Sequence, residues 1–316
     1  MRLIPRSSSP RRENPEAEGP KAVIIDTDIG DDVDDALALA LALRSPELDL
    51  RAVTTVFGNV EVRTRLALKV LKTFGREDIP VATGIGKPLL ERTFLADAGQ
   101  RTPNQATVLT EGERLPEPSP RHAVDLILST AMAAGDGVTL IPVGALTNVA
   151  SALLREPRLA ERADVVLMGG MVSRPRAEHN VRCDPEAARI VFESGIPITM
   201  VGLDVTLKCV LGREDVERLR GRGLATISLL ADMIAAWRRG TERLPVLHDP
   251  LAVAVSFNPG LVTTRPMAVR VETRGEFTRG LTVALDREEP NAQVCVDVDA
   301  GRFVRLFMDR VTESGE

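Results

Sequence analysis

Six aspartates fall within ten residues, in the run Ile25-Asp26-Thr27-Asp28-Ile29-Gly30-Asp31-Asp32-Val33-Asp34-Asp35-Ala36. Carboxylates crowded into one tight segment repel each other unless a cation neutralises them. A hard divalent ion with oxygen ligands does this: Ca²⁺ accepts ~6–8 oxygens, and Mg²⁺ takes fewer with stricter geometry. The run leaves a short apolar stretch of strand type and enters an Ala- and Leu-rich helix, with Gly30 to turn the chain. A solvated acidic loop in which Asp34 merely caps the helix is the bland alternative. The position directly beyond a strand, where open α/β sheets bind their ligands, favours a metal site.

Other chemistry-bearing residues also follow apolar runs. Thr54-Thr55-Val56-Phe57-Gly58-Asn59 ends one, and its Asn is a turn residue or a ligand hydrogen-bonder. Pro142-Val143-Gly144 ends another, where the Gly permits a backbone that aims the Val143 carbonyl at a cation. Met168-Gly169-Gly170 ends a third and leads to Glu178-His179-Asn180. Asp184 before Pro185 reads as a helix N-cap, a structural role. His248 and Asp249 open a later helix. Imidazole titrates near neutrality, so His248 could deliver a proton to a leaving group. His122 and His179 read as structural. Trp237 is a possible ring contact for a ligand, with core packing as its plainer role. Asp26-x-Asp28 also suits a phosphatase of the haloacid dehalogenase type, but that reading expects Thr or Val where Gly30 stands and leaves four aspartates unused.

These residues need a frame, and the hydrophobic pattern supplies one. Strands are expected at 21–26, 50–56, 79–82, 138–143, 164–168 and 197–201. Helices are expected at 34–44, 60–74, 122–133, 148–154, 185–193, 213–220, 225–239 and 249–256. Strands at 267–271, 281–285 and 293–298 precede a final helix. Alternation of short, fully apolar strands with helices predicts an α/β fold: a mostly parallel central sheet flanked by helices, with a Rossmann-like core. Residues 1–20, rich in Pro, Ser, Arg and Glu, read as a disordered tail, and 21–316 as a single domain. Residues 91–120 are irregular and read as a substrate-covering loop.

Composition excludes several classes. The formal charge is −5, and without the six clustered aspartates it would be +1, so the acidity is local. No basic excess points to nucleic acid, and no apolar run is long enough to span a bilayer. Eight Phe, one Trp and no Tyr leave little for a platform of stacking rings. Three cysteines without a C-x-x-C pair, and no apolar leader, lead us to expect reduced thiols in the cytoplasm.

Taken in order, the segments 26–36, 54–59, 142–148, 168–170, 178–187, 248–250 and 271–283 resemble the inosine–uridine-preferring nucleoside hydrolase family, over residues 21–310. The resemblance implies a calcium-dependent enzyme that hydrolyses the N-glycosidic bond of ribonucleosides to ribose and base, and a homo-oligomer, tetramer or dimer. Asp28 matches the carboxylate that binds the metal and takes a proton from the attacking water. Asp35, Asp249 and the Val143 carbonyl match the other metal ligands, with Asp26 in support behind them. Asp34 and Asn59 match residues holding ribose hydroxyls, Met168 lines the sugar pocket, and Glu178 and Asn180 lie near the ribose 5′ side. His248 matches the general acid for the base. Three features depart from the family pattern. Two extra residues precede Asp34-Asp35, leaving Asp31 and Asp32 unassigned. Val143 stands where Thr is common. Residues 91–107 lack the family's His-Gly loop, and 172–177 lack its Asn. A Ca²⁺-holding ribosyl-binding protein with little or no hydrolysis is the alternative on the same scaffold.

Overall fold

The computed structural model describes residues 19–90, 101–220 and 223–313. The expected tail lies almost wholly outside the described residues, as does the 91–100 part of the irregular stretch.

Nine strands form one sheet: β1 (Lys21–Thr27), β2 (Leu48–Thr55), β3 (Val81–Thr83), β4 (Val138–Pro142), β5 (Ala163–Met168), β6 (Ile198–Val201), β7 (Val262–Val271), β8 (Thr282–Leu285) and β9 (Ala292–Val298). Their spatial order is β3-β2-β1-β4-β5-β6-β9-β7-β8. All pairings from β3 to β9 are parallel, and β7 runs antiparallel to both β9 and β8. The mostly parallel sheet is therefore as expected.

Period-2 alternation explains how the sheet is covered. Val23 and Ile25 face one hydrophobic cluster, and Ile24 between them faces the other. The first cluster takes in the helices Asp34–Leu43, Val60–Thr73, Ala225–Arg238, His248–Phe257 and Ala300–Thr312. The second takes in Ala123–Ala133, Thr147–Arg155 and Pro185–Glu193. Asp34–Leu43 is buried over nearly its whole length and packs on His248–Phe257. That contact brings two distant sequence segments, each beginning with carboxylates, to one place.

β7 begins five residues earlier than expected. Its first half, Val262-Thr263-Thr264-Arg265-Pro266, is largely exposed and lacks apolar alternation, yet it pairs with β9. Edge-like pairing of this kind leaves no periodic signal.

The order reverses beside β1, where β1 leads to β2 on one side and β4 lies on the other. Asp26 is level with Thr54 across β2 and with Pro142 across β4. The carboxyl ends of β1, β2 and β4 thus open together at a topological switch point, where doubly wound sheets bind ligands. No helix among the described residues is long and apolar enough to cross a membrane.

Candidate active site

A cavity of about 1490 Å³ opens at this switch point. Asp28, Asp34, Asp35, Val143, Met168, Glu178, Asn180, His248 and Asp249 all line it. Nine of the ten expected site residues are brought together. Asn59 is not among the lining residues: its side-chain oxygen accepts from Val62 N–H at 3.2 Å, capping the helix Val60–Thr73. The first N–H groups of a helix need an acceptor, and the Asn59 side-chain oxygen supplies one.

The acidic segment leaves β1 and folds back on itself before the helix. Gly30 has φ +128°, a region that side chains rarely adopt, and an added Cβ would lie 2.7 Å from Pro103. Val33 is buried in the core, and Asp34 and Asp35 start the helix. Asp34, Asp35 and Asp249 each offer a carboxylate oxygen within 4.8 Å of the others, and all three are buried. Burial pushes these carboxyls well above the usual range, and repulsion among the clustered aspartates adds to it. Asp28 lies outside that triad but near enough for its charge to raise all three. Its own carboxyl is also raised, first by burial. Such a group is stable as carboxylate only with a counter-charge, so the donor set fits a hard divalent cation.

Gly144 serves a different end from the one expected. It is not in a left-handed conformation; instead an added Cβ would lie 2.9 Å from Asp28 Oδ1 and 3.0 Å from Asp28 N. The missing side chain admits Asp28. The neighbouring Val143 carbonyl accepts from Asn180 Nδ2 at 2.7 Å. A carbonyl oxygen has two lone pairs, so a second partner remains possible.

Around this centre, hydrogen bonds fix the carboxylates. Asp35 accepts from Thr27 Oγ1. Asp26 accepts from Thr54 Oγ1 at 2.6 Å and Asn148 Nδ2 at 2.8 Å, and burial still raises its carboxyl to about 7. Glu178 accepts from the N–H groups of Gly170, Asn180 and Val181, capping the short helix His179–Cys183. Asp184 caps the next helix through Ala187 N–H and also accepts from Thr147 and Leu89, the structural role expected of it. His122 caps Ala123–Ala133. His248 is mostly buried, its Nδ1 lies 2.7 Å from Thr206 Oγ1, and desolvation, helped by the charge of Arg176, lowers its pKa to about 4. Trp237 both belongs to the core and lines the cavity, with the Arg243 guanidinium 4.7 Å from its ring centre.

The largest omission of the sequence reading is Arg63. This buried side chain donates to the carbonyls of Asp28, Ile29 and Phe57 and pairs with Asp31 Oδ2 at 2.9 Å. It therefore holds the acidic loop in place and gives Asp31 a partner. The backbone carbonyl of Asp32, the other inserted residue, accepts from Gln105 Nε2, which ties the described end of the irregular stretch to the loop. A signal for Arg63 was present: it falls on the inward stripe of its helix, with Leu66, Ala67, Val70 and Leu71 at helical spacing. Arg63→Met is expected to cost ~3 kcal/mol, because it strands three buried carbonyls and a carboxylate. Urea unfolding measures this; an unchanged midpoint would remove Arg63 from that role. His179, read as structural, lines the cavity as well.

An acidic floor whose donor set fits a hard cation and a histidine meet in one cavity at an α/β switch point, and sequence comparison gives the family. The inosine–uridine preferring nucleoside hydrolase pattern matches residues 23–305, and the chain belongs to that family of N-glycosyl hydrolases. It is 40% identical over 311 residues to the pyrimidine-specific ribonucleoside hydrolase RihA of Escherichia coli, covering 92% of this chain and 97% of the relative. A plant nucleoside hydrolase, PpNRh1, superposes with TM-score 0.82 at 30% identity, covering 93% of this chain and all of that one. The purine-preferring ribonucleoside hydrolase of Gardnerella vaginalis gives 0.78 at 33% identity, covering 92% and 98%.

Proposed function

We propose that the chain hydrolyses ribonucleosides to ribose and free base in a calcium-dependent reaction, with Asp28 as base and His248 as acid. The observation that carries this reading is the buried carboxylate triad of Asp34, Asp35 and Asp249, which is costly to build without a cation. Asp28, Asp35, Asp249 and the Val143 carbonyl would hold the ion, with Asp34 turned to the ribose hydroxyls. Bound there, Ca²⁺ would supply positive charge that acidifies a neighbouring water.

The remaining chemistry belongs to the protein. Asp28, as carboxylate, takes a proton from the attacking water. The departing C1′ gains oxocarbenium character, which the anionic floor stabilises. Met168 packs the sugar, and Asn180 and Glu178 hold the wall beside it. His248 is neutral at pH 7 with a pKa of about 4. In the tautomer in which Thr206 Oγ1 donates to Nδ1, Nε2–H would hydrogen-bond the leaving nitrogen, and a proton taken up by the ring as the base departs passes on to that nitrogen.

A panel of purine and pyrimidine ribonucleosides, assayed for base release with parallel metal analysis, tests the reading. Base release that tracks calcium content supports it. Nucleoside affinity without base release would overturn it in favour of a ribosyl-binding protein. His248→Ala is expected to lower kcat on natural nucleosides ~100-fold. The same variant should lose little on p-nitrophenyl riboside, whose leaving group departs without a proton. Equal losses on both substrates would remove His248 as the acid.

A further inference from the structure

His248 lines the cavity, and what its ring presents there depends on a partner 42 residues away in the chain. Nδ1 lies 2.7 Å from Thr206 Oγ1, while Nε2 has no partner among the described residues. The contact can run in either direction: the hydroxyl donates to Nδ1, or Nδ1–H donates to the hydroxyl. Burial decides between them. Thr206 has no exposed surface, so its hydroxyl proton cannot turn to bulk water. A buried donor without an acceptor is costly. The buried helical residues Thr64 and Thr312 give their hydroxyl proton to the carbonyl four residues earlier. Thr206 Oγ1 makes no such bond, and His248 Nδ1 is its one hydrogen-bond partner among the described residues. Thr206 therefore donates and Nδ1 is bare, which in a neutral imidazole places the proton on Nε2.

Backbone pairing holds the two residues in this relation. Thr206 ends the one-turn helix Leu203–Thr206, which follows β6. Leu203 N–H donates to the Gly170 carbonyl at 2.9 Å, and the Asp204 carboxylate accepts from the N–H groups of Val172 and Ser173 at 3.0 and 2.9 Å. These bonds fasten the helix to the loop after β5. The chain beyond Thr206 then pairs with the chain before His248. Leu247 N–H donates to the Cys209 carbonyl at 2.8 Å and Leu211 N–H to the Pro245 carbonyl at 2.9 Å, with Val210 bridging Val246 between them. Thr206 and His248 flank that paired stretch, so its bonds set their separation.

We infer that Thr206 is a positioning residue: its hydroxyl fixes His248 in the Nε2–H tautomer and leaves that N–H to the cavity, where it meets the nitrogen of a departing base. This rests on the hydrolytic reading above. Thr206 is not among the residues lining the cavity, so it acts through His248 and not on the substrate.

Nitrogen-15 NMR of the calcium-loaded protein near pH 8 reads the tautomer directly. The chain has three histidines, and His248→Ala assigns the ring in question. The parent is expected to show Nε2 protonated and Nδ1 bare; a protonated Nδ1 would overturn the inference. Thr206→Val keeps the shape and removes the hydroxyl, so the Nδ1 signal should shift, and Thr206→Ser should restore it. Kinetics separate positioning from a merely structural role. Thr206→Val is expected to lower kcat on uridine and inosine about tenfold with KM within about threefold of the parent, and Thr206→Ser to recover most of that loss. On p-nitrophenyl riboside the Val variant should stay within about threefold. Equal losses on both kinds of substrate, or no loss on either, would sink the role of Thr206 and leave the hydrolytic reading standing. A parent that releases base from no nucleoside overturns the hydrolytic reading instead, and the NMR signals then decide the tautomer by themselves.

Discussion

Asp28→Asn is expected to lower kcat for ribonucleoside hydrolysis by ~10³–10⁴-fold while leaving the fold intact. The amide has the shape of the carboxylate and keeps one oxygen for a cation, so the change removes a proton acceptor and one charge with little change in volume. Space for it is already made, because Gly144 presents no side chain to Asp28. Burial and the neighbouring aspartates oppose the charge on Asp28, so the neutral amide relieves repulsion, and the metal-free variant should melt no lower than the parent. Circular dichroism and metal analysis separate the chemical loss from misfolding or loss of the ion. Activity within tenfold of the parent would remove Asp28 as the base. Asp31→Asn is the fitting contrast: that carboxylate also lines the cavity, but it is paired with Arg63.

The frame that positions Asp28 was readable because it rests on short-range patterns. The strands around the switch point are uniformly apolar, and their helices carry broad apolar stripes, so periodicity located them to within a few residues. The acidic segment announced itself through electrostatics: no ordinary turn gathers six carboxylates. Val33 packs in the core while Asp34 and Asp35 join Asp249, so the helix start, not the inserted pair, carries the converging carboxylates. What could not be read depends on contacts distant in sequence. Asn59 has the same residue type whether it caps a helix or touches a sugar, and its cap to Val62 N–H shows only in the fold. Arg63 acts on carbonyls some 34 residues away, including that of Ile29, and backbone carbonyls leave no residue-type signal. The helix His179–Cys183 is too short for periodicity and depends on the Glu178 cap. Thr206 meets His248 from 42 residues away, so no local motif contains the pair.

The acidic centre also couples stability to pH. Asp34, Asp35 and Asp249 have carboxyls raised by burial first and by mutual repulsion next, and Asp26 is raised to about 7. A carboxyl raised in the folded state means that the native protein binds more protons than the unfolded chain. Its contribution is fully present below the ordinary carboxyl range and is lost as pH rises through the raised values. The metal-free protein is therefore expected to lose thermal stability progressively from about pH 4 to 7, because the Asp26 carboxyl is raised to about 7 and burial lifts the other three well above the usual carboxylate range. Calcium opposes this, because it binds the deprotonated carboxylates and competes better as protons leave. At ~100 times its dissociation constant an ion stabilises the native state by ~2.7 kcal/mol, which for a chain of this size raises Tm by ~5 °C. Differential scanning fluorimetry with and without calcium should show a small gap at pH 5 that widens toward pH 8. Asp249→Asn should close most of that gap, since it removes one of the three converging carboxylates and half-relieves the repulsion that the ion otherwise cancels. A calcium effect that stays constant across this range would mean that the ion binds elsewhere, because only a site whose ligands exchange protons with the cation ties metal affinity to pH in this direction.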